Sequence, residues 1–187
     1  MEIEKKNRFV EFVKNYGLYL AVALIIFIMA LSFTLLATLG TTAPVSNSVI
    51  EFQLPMTDAM VIKDFSNTEL QNNETLNQWE AHLSVDLASE NGEVFSILDG
   101  TITSVDYDLL EGHSITITHS NGLVSIYSSL AEDITHKVGD VVKAGEKIGK
   151  ASNSASGELD LGEHLCLTMK LNDKYVDPNN YLNLQEK

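Results

Sequence analysis

Two short segments of this chain carry side chains able to bind a metal ion from one face of a strand. If Ala81–Leu87 is extended, His82, Ser84 and Asp86 point the same way, because successive side chains along a strand alternate between its faces. If His164–Lys170 is extended, His164, Cys166 and Thr168 do the same. Imidazole, carboxylate and thiolate are all zinc ligands, and three protein ligands plus a water make a catalytic zinc site. Spacing alone does not establish one: His-x-x-x-Asp arises often by chance, and a lone cysteine on a strand is more often packing than chemistry. Ser125, Ser128 and Ser129 gather around Tyr127, but no His–Asp pair adjoins them in sequence, which leaves a serine hydrolase remote. His113, His119 and His136 fall at strand ends or turns and are read as structural.

The elements that must position these residues are strands. A first strand is expected over residues 54–63, followed by the polar stretch DFSNTELQNNETLNQW, read as a loop with one helical turn near Leu76–Trp79. Beyond Trp79, short runs rich in Val, Ile and Thr alternate with turn signals such as Asn91-Gly92, Asp99-Gly100, Asn121-Gly122 and Gly139-Asp140. Ser114–Thr118 and Leu123–Tyr127 alternate polar and apolar residues around Asn121-Gly122, which predicts a hairpin with a type I′ turn. Nothing after residue 80 reads as a helix of normal length. The pattern predicts an all-β domain, an antiparallel curled sheet or open barrel.

The N-terminus has a different character. Leu18–Leu39 holds 22 residues without a charge, about 33 Å as a helix against a hydrocarbon core of about 30 Å. Lys5, Lys6, Arg8 and Lys14 precede it, and the next basic residue is Lys63, which predicts a cytoplasmic N-terminus and an extracytoplasmic C-terminal domain. Thr41-Thr42-Ala43-Pro44 is a poor cleavage site, so the segment reads as a retained single-pass anchor. The expected division is a cytoplasmic segment over 1–17, a transmembrane helix over 18–39, a stalk and approach over 40–78, and one domain over 79–187. Residues after the span hold 8 basic and 23 acidic side chains, a net −15 that excludes nucleic acid and suits a basic protein partner or a solvated acidic surface. Cys166 is the single cysteine, so the domain folds without an internal disulfide.

From Trp79 to Leu182 the sequence resembles the LytM-type, or lysostaphin-like, zinc metallopeptidase domain. That family has a His-x-x-x-Asp motif, a Tyr-Ala-His-Leu-like segment and a closing His-x-His. The same order stands here as His82-Leu-Ser-Val-Asp86, Tyr127-Ser-Ser-Leu130 and His164-Leu-Cys166, with HSNG at His119–Gly122 and KVGDVVKAGEKIG at Lys137–Gly149 between them. The resemblance implies metal ligands at His82, Asp86 and Cys166, with a thiol where the family has its third ligand. It implies catalytic histidines at His164, which is kept, and at Ser129, which is not. A hydroxyl cannot replace imidazole in proton transfer near neutral pH, and losing such a group costs roughly 10²–10⁴ in rate. The expectation is a catalytically degenerate peptidase scaffold with no required cofactor, zinc being left open.

A narrower resemblance uses the whole chain. A short cytoplasmic start, one span, a stalk and an eroded LytM-type domain form the layout of a family of sporulation proteins. The segment SNSASGELDLGEH, inserted before the last motif, belongs to that likeness. It implies a place in the forespore membrane and a protein partner in the opposing mother-cell membrane, within a channel-like complex. Two alternatives stay open at this point. One is a zinc endopeptidase acting on peptidoglycan cross-bridges with Cys166 as an unusual ligand; the other is a regulator of a separate cell-wall hydrolase.

Overall fold

The computed structural model describes residues 2–39 and 51–186, with side chains over 10–19, 21–31 and 51–184. Residues 2–39 and 51–186 fall in separate compact units, divided at Val49/Ile50. The first unit is a helix, α1 (Glu2–Leu39). It begins well before the expected span, and residues 40–50 of the expected stalk and approach lie outside the described residues. No single described helix is long and apolar enough to cross a membrane. The pair Val10–Tyr19 and Ala21–Leu31, bent by 51° at its break, passes that test together.

The second unit contains thirteen strands among the described residues: β1 (Met60–Lys63), β2 (Ser66–Asn73), β3 (Gln78–His82), β4 (Val85–Ala88), β5 (Glu93–Phe95), β6 (Gly100–Asp108), β7 (Gly112–His119), β8 (Leu123–Leu130), β9 (Val141–Val142), β10 (Lys147–Lys150), β11 (Leu165–Leu171), β12 (Lys174–Val176) and β13 (Gln185–Glu186). Among its described residues the only helical turns are 3₁₀, at Leu159–Leu161 and Pro178–Asn180. Nine strands form one sheet in the order β13-β1-β4-β11-β8-β7-β6-β9, with β12 attached to β11. β1 and β13 run parallel; the other pairs of the sheet are antiparallel. The mostly antiparallel β architecture is the expected one.

Alternation explains how the central strands bury one face. Ile115 and Ile117 of β7, and Leu123, Ser125 and Tyr127 of β8, are fully buried, two residues apart along each strand. The β7–β8 hairpin forms where Asn121-Gly122 predicts it, but the turn differs from type I′. Thr118 pairs with Val124, and of the turn residues only Gly122 has a positive φ, +81°. That is a longer loop closed by a left-handed glycine, with Asn121 Oδ1 accepting from the Leu123 amide.

The polar stretch after Lys63 departs from expectation altogether. Instead of a loop with a helical turn, it folds as the β2–β3 hairpin, a separate two-stranded ribbon. Residues 51–63, expected in the stalk and approach, pack in the domain. The Gln53 amide donates to the Ile97 carbonyl, Phe52 meets the Tyr181 ring edge-on at 5.5 Å, and Met56 is buried.

Gly112 opens β7 with φ +76°, and a Cβ there would collide with Ser154 and the Ala155 backbone amide. A Cβ at Gly122 would meet nothing closer than the Asn172 side chain at 3.6 Å. Gly112→Ala should therefore cost about 2–3 kcal/mol in denaturant unfolding, and Gly122→Ala only the left-handed backbone penalty of about 1–2 kcal/mol. Equal losses would mean that the 152–157 segment yields easily at Gly112.

Candidate functional site

Strand register brings the sequence motifs together. On β11, Cys166 pairs with Asp86 of β4 on one side and with Ser128 of β8 on the other. His82 closes β3, one short break before β4. The segment between β10 and β11, which contains the insertion, lies across this end of the sheet. The Ser152 amide donates to the Ser129 carbonyl, and the His164 amide to Ser152. Asn73 of β2 donates to the Gly157 carbonyl, and the Ser156 and Gly157 amides donate to the carbonyls of Leu109 and Leu110. Pinned on both sides, the segment projects Glu158 into the site.

The cluster that results is buried and charged. His82 Nε2 lies 3.1 Å from Asp86 Oδ2 and 3.6 Å from Glu158 Oε1, and His164 Nε2 lies 3.6 Å from Glu158 Oε2. Lys63 Nζ donates to Glu158 Oε1 at 3.0 Å. Asp86 and His164 are fully buried. Although His82 Nε2 is close to Asp86, no hydrogen bond forms to either Asp86 oxygen, and His164 Nε2 also lacks one. His82 Nδ1–H donates to the Asp64 carbonyl at 2.8 Å, which directs Nε2 at the cluster. A cleft of about 510 Å³ opens beside these groups, lined in part by His82, Ser84, Glu158, Cys166, Leu76, Leu110 and Tyr175.

The environment sets the charges. Burial opposes protonation of His82, but the adjacent Asp86 and Glu158 outweigh it and raise its pKa to about 9. Burial works against the Glu158 carboxylate too, yet His164, His82 and Lys63 hold its pKa far below the usual range. Burial, with the charges of Asp86 and Glu158, pushes the Cys166 thiol well above its ordinary value.

Two of the residues singled out in sequence, His82 and Asp86, present ligand atoms within 4.8 Å of one another and of a Glu158 carboxylate oxygen; Cys166 is not part of that group. Glu158 carried no motif and went unnoticed. The donor set, with two unpartnered carboxylate oxygens at its centre, fits a divalent cation. Ser129 is fully buried, at φ +60°, and its hydroxyl donates to the Ser152 carbonyl at 2.9 Å. Ser125 does meet a histidine: its hydroxyl lies 2.8 Å from His119 Nε2 and donates to the Tyr127 hydroxyl, which accepts the Ile97 amide. Ser125 and Tyr127 are fully buried and His119 nearly so, so this chain braces the core.

A largely antiparallel sheet that gathers His82, Asp86, His164 and Cys166 beside one cleft defines a metallopeptidase-type fold, with Cys166 and Ser129 at positions where the LytM-type pattern has histidines. Residues 80–178 match Peptidase family M23, and the chain belongs to that family. Stage II sporulation protein Q of Bacillus subtilis (strain 168) is 26% identical over 151 residues, covering 74% of this chain and 53% of that protein. The chain thus spans about half the length of this curated relative. A chain of the solved SpoIIIAH and SpoIIQ complex is 25% identical, with a TM-score of 0.60, covering 70% of this chain and 99% of that one. A zinc-containing peptidase from Vibrio cholerae is 26% identical, with a TM-score of 0.55, covering 65% of this chain and 36% of that one.

In chelator-treated protein, His82 has a pKa raised above its ordinary 6.5. Its stabilisation is therefore fully present below pH 6.5 and is lost as pH rises through about 9. Thermal unfolding from pH 6 to 10 should show a steeper loss for the wild type than for His82→Gln. Parallel curves would mean that no proton is held between His82 and its carboxylates.

Proposed function

We propose that this chain is a membrane-anchored, extracytoplasmic interaction module on a catalytically degenerate M23 scaffold, acting in sporulation within a complex that joins the forespore and mother-cell membranes. The observation that carries the reading is the state of the catalytic positions. Where the LytM-type pattern calls for a second catalytic imidazole, Ser129 offers a buried hydroxyl already committed to Ser152. Where it calls for a ligand histidine, Cys166 offers a thiol held protonated by its surroundings. Family membership and the likeness to stage II sporulation protein Q support the sporulation role.

Two further features support binding rather than cleavage. Leu70 and Trp79 on the β2–β3 ribbon, and Tyr107, Leu109 and Leu110 at the β6–β7 hairpin, are large apolar side chains left exposed, and Leu110 also lines the cleft. The domain's net acidity suits a basic partner, as the SpoIIIAH of the related complex would have to be here. The described apolar side chains of α1, among them Leu24, Ile26 and Phe27, are exposed around the helix, which suits a lipid environment. A second reading, a zinc endopeptidase acting on peptidoglycan, draws support from the His82–Asp86–Glu158 group and keeps His164 for proton handling. A third, activation of a separate cell-wall hydrolase, would use the same exposed surfaces.

Full-length protein in lipid vesicles, supplied with zinc and purified peptidoglycan, should release no new amino termini above protein-free vesicles. The same vesicles should retain a purified SpoIIIAH ectodomain. Cleavage that disappears in His164→Ala would establish the endopeptidase instead, and failure to retain the ectodomain would remove the channel-complex reading.

A further inference from the structure

The strongest unexplained feature is a fully buried carboxylate, Asp86, with neither oxygen hydrogen-bonded, facing an imidazole nitrogen of His82 and the carboxylate of Glu158. Such a group is tolerated only with positive charge close by, and the space between these three side chains is where a cation would meet both carboxylates at once. We infer that Glu158, supplied by the insertion before the last motif, is the third protein ligand of a divalent metal site completed by His82 and Asp86, in place of Cys166.

Geometry and chemistry agree on this assignment. Tetrahedral zinc with bonds of about 2.0–2.1 Å sets its ligand atoms about 3.3 Å apart. The separations from His82 Nε2 to Asp86 Oδ2 and Glu158 Oε1 are 3.1 and 3.6 Å. Ligating imidazoles commonly donate their other N–H to a carbonyl, as His82 Nδ1 does to Asp64. Lys63, bonded to Glu158 Oε1, orients that carboxylate from outside the ligand set. One nitrogen and two carboxylates form a harder donor set than one containing a thiolate. The segment that carries Glu158 is bonded to Asn73 and Thr75 on one side and to Leu109 and Leu110 on the other, and the metal would also clasp it onto β3 and β4.

The test uses the full-length protein in detergent, stripped of metal and titrated with zinc alone. Calorimetry should give one zinc per chain and a rise in Tm. Glu158→Gln should weaken binding by at least about tenfold, the lower range for losing even an outer-shell partner, while Cys166→Ser should leave it unchanged. Circular dichroism of metal-free Glu158→Gln matching the wild type would assign its loss to the site and not to misfolding. X-ray absorption on the wild type gives a check that needs no variant. Only nitrogen and oxygen near 2.0 Å should surround the zinc, whereas a sulfur at about 2.3 Å would overturn the assignment. Absence of zinc binding in the wild type would also overturn it, leaving Lys63 and protonated imidazole to balance the carboxylates. That outcome would leave the interaction-module reading standing.

Discussion

The site depends on one constraint: the Asp86 carboxylate is fully buried and must be compensated by what is brought to it. A charged carboxylate in such surroundings is tolerated only with positive charge or donors close by. The fold draws them from places far apart in sequence. His82 comes from the end of β3, Lys63 from β1, Glu158 and His164 from either end of the run that leads into β11. Lys63 and Glu158 are 95 residues apart and form an ion pair at 3.0 Å. Because each partner is itself partly or wholly buried, removing one strands the others. Such a cluster is therefore kept or lost as a unit.

Holding these groups within a few tenths of an ångström needs a rigid platform, and β11 supplies it. Its first half is laddered to β4 and its second half to β12, while β8 runs along its other side. Behind β8, the bonded series from His119 through Ser125 and Tyr127 to the Ile97 amide ties the sheet to the β5–β6 connection. Tyr127 is the largest fully buried side chain of the domain, so its hydroxyl must find partners, and both of its neighbours supply them. The polar atoms of this series are satisfied, whereas both Asp86 carboxylate oxygens and His164 Nε2 beside the cleft are not. That contrast marks the cleft as the functional end.

Much of this was legible in the sequence, for physical reasons that also mark where reading failed. β7 and β8 declare themselves because half-buried strands must alternate, and a glycine must stand where the turn needs a positive φ. The β2–β3 ribbon was missed because Ser66–Asn73 is polar and Asn-rich, with most of its side chains exposed. Its pairing rests on backbone ladders and on contacts such as Asn73 to Glu80 and Gly157, which no hydrophobic period announces. His82, Asp86 and His164 were singled out because their order and spacing resemble the LytM-type motifs, although His82 closes β3, Asp86 lies on β4 and His164 stands just before β11. Glu158 was not, because it lies in irregular chain just before a 3₁₀ turn, where spacing predicts no direction. Ser125 was set aside for want of a neighbouring histidine in sequence, and the β7–β8 register brought His119 to it.

The two losses in the catalytic pattern have unequal consequences. A metal site tolerates a changed ligand if another donor reaches the same point, since binding asks only for a lone pair at the right distance. The segment carrying Glu158 provides such a donor. Proton transfer is more exacting, because it needs a group of suitable pKa at one particular position. Ser129 is held at a positive φ, with its amide bonded to Glu111 and its hydroxyl to Ser152, so no nearby side chain takes over that role through it. Binding can therefore outlast catalysis on this scaffold. The same insertion that brings a carboxylate to the cleft is also bonded to the β2–β3 ribbon and the β6–β7 hairpin, two places where large apolar side chains are exposed. Through one short run of chain, a change at Glu158 would reach that ribbon and hairpin as well as the His82–Asp86 cluster.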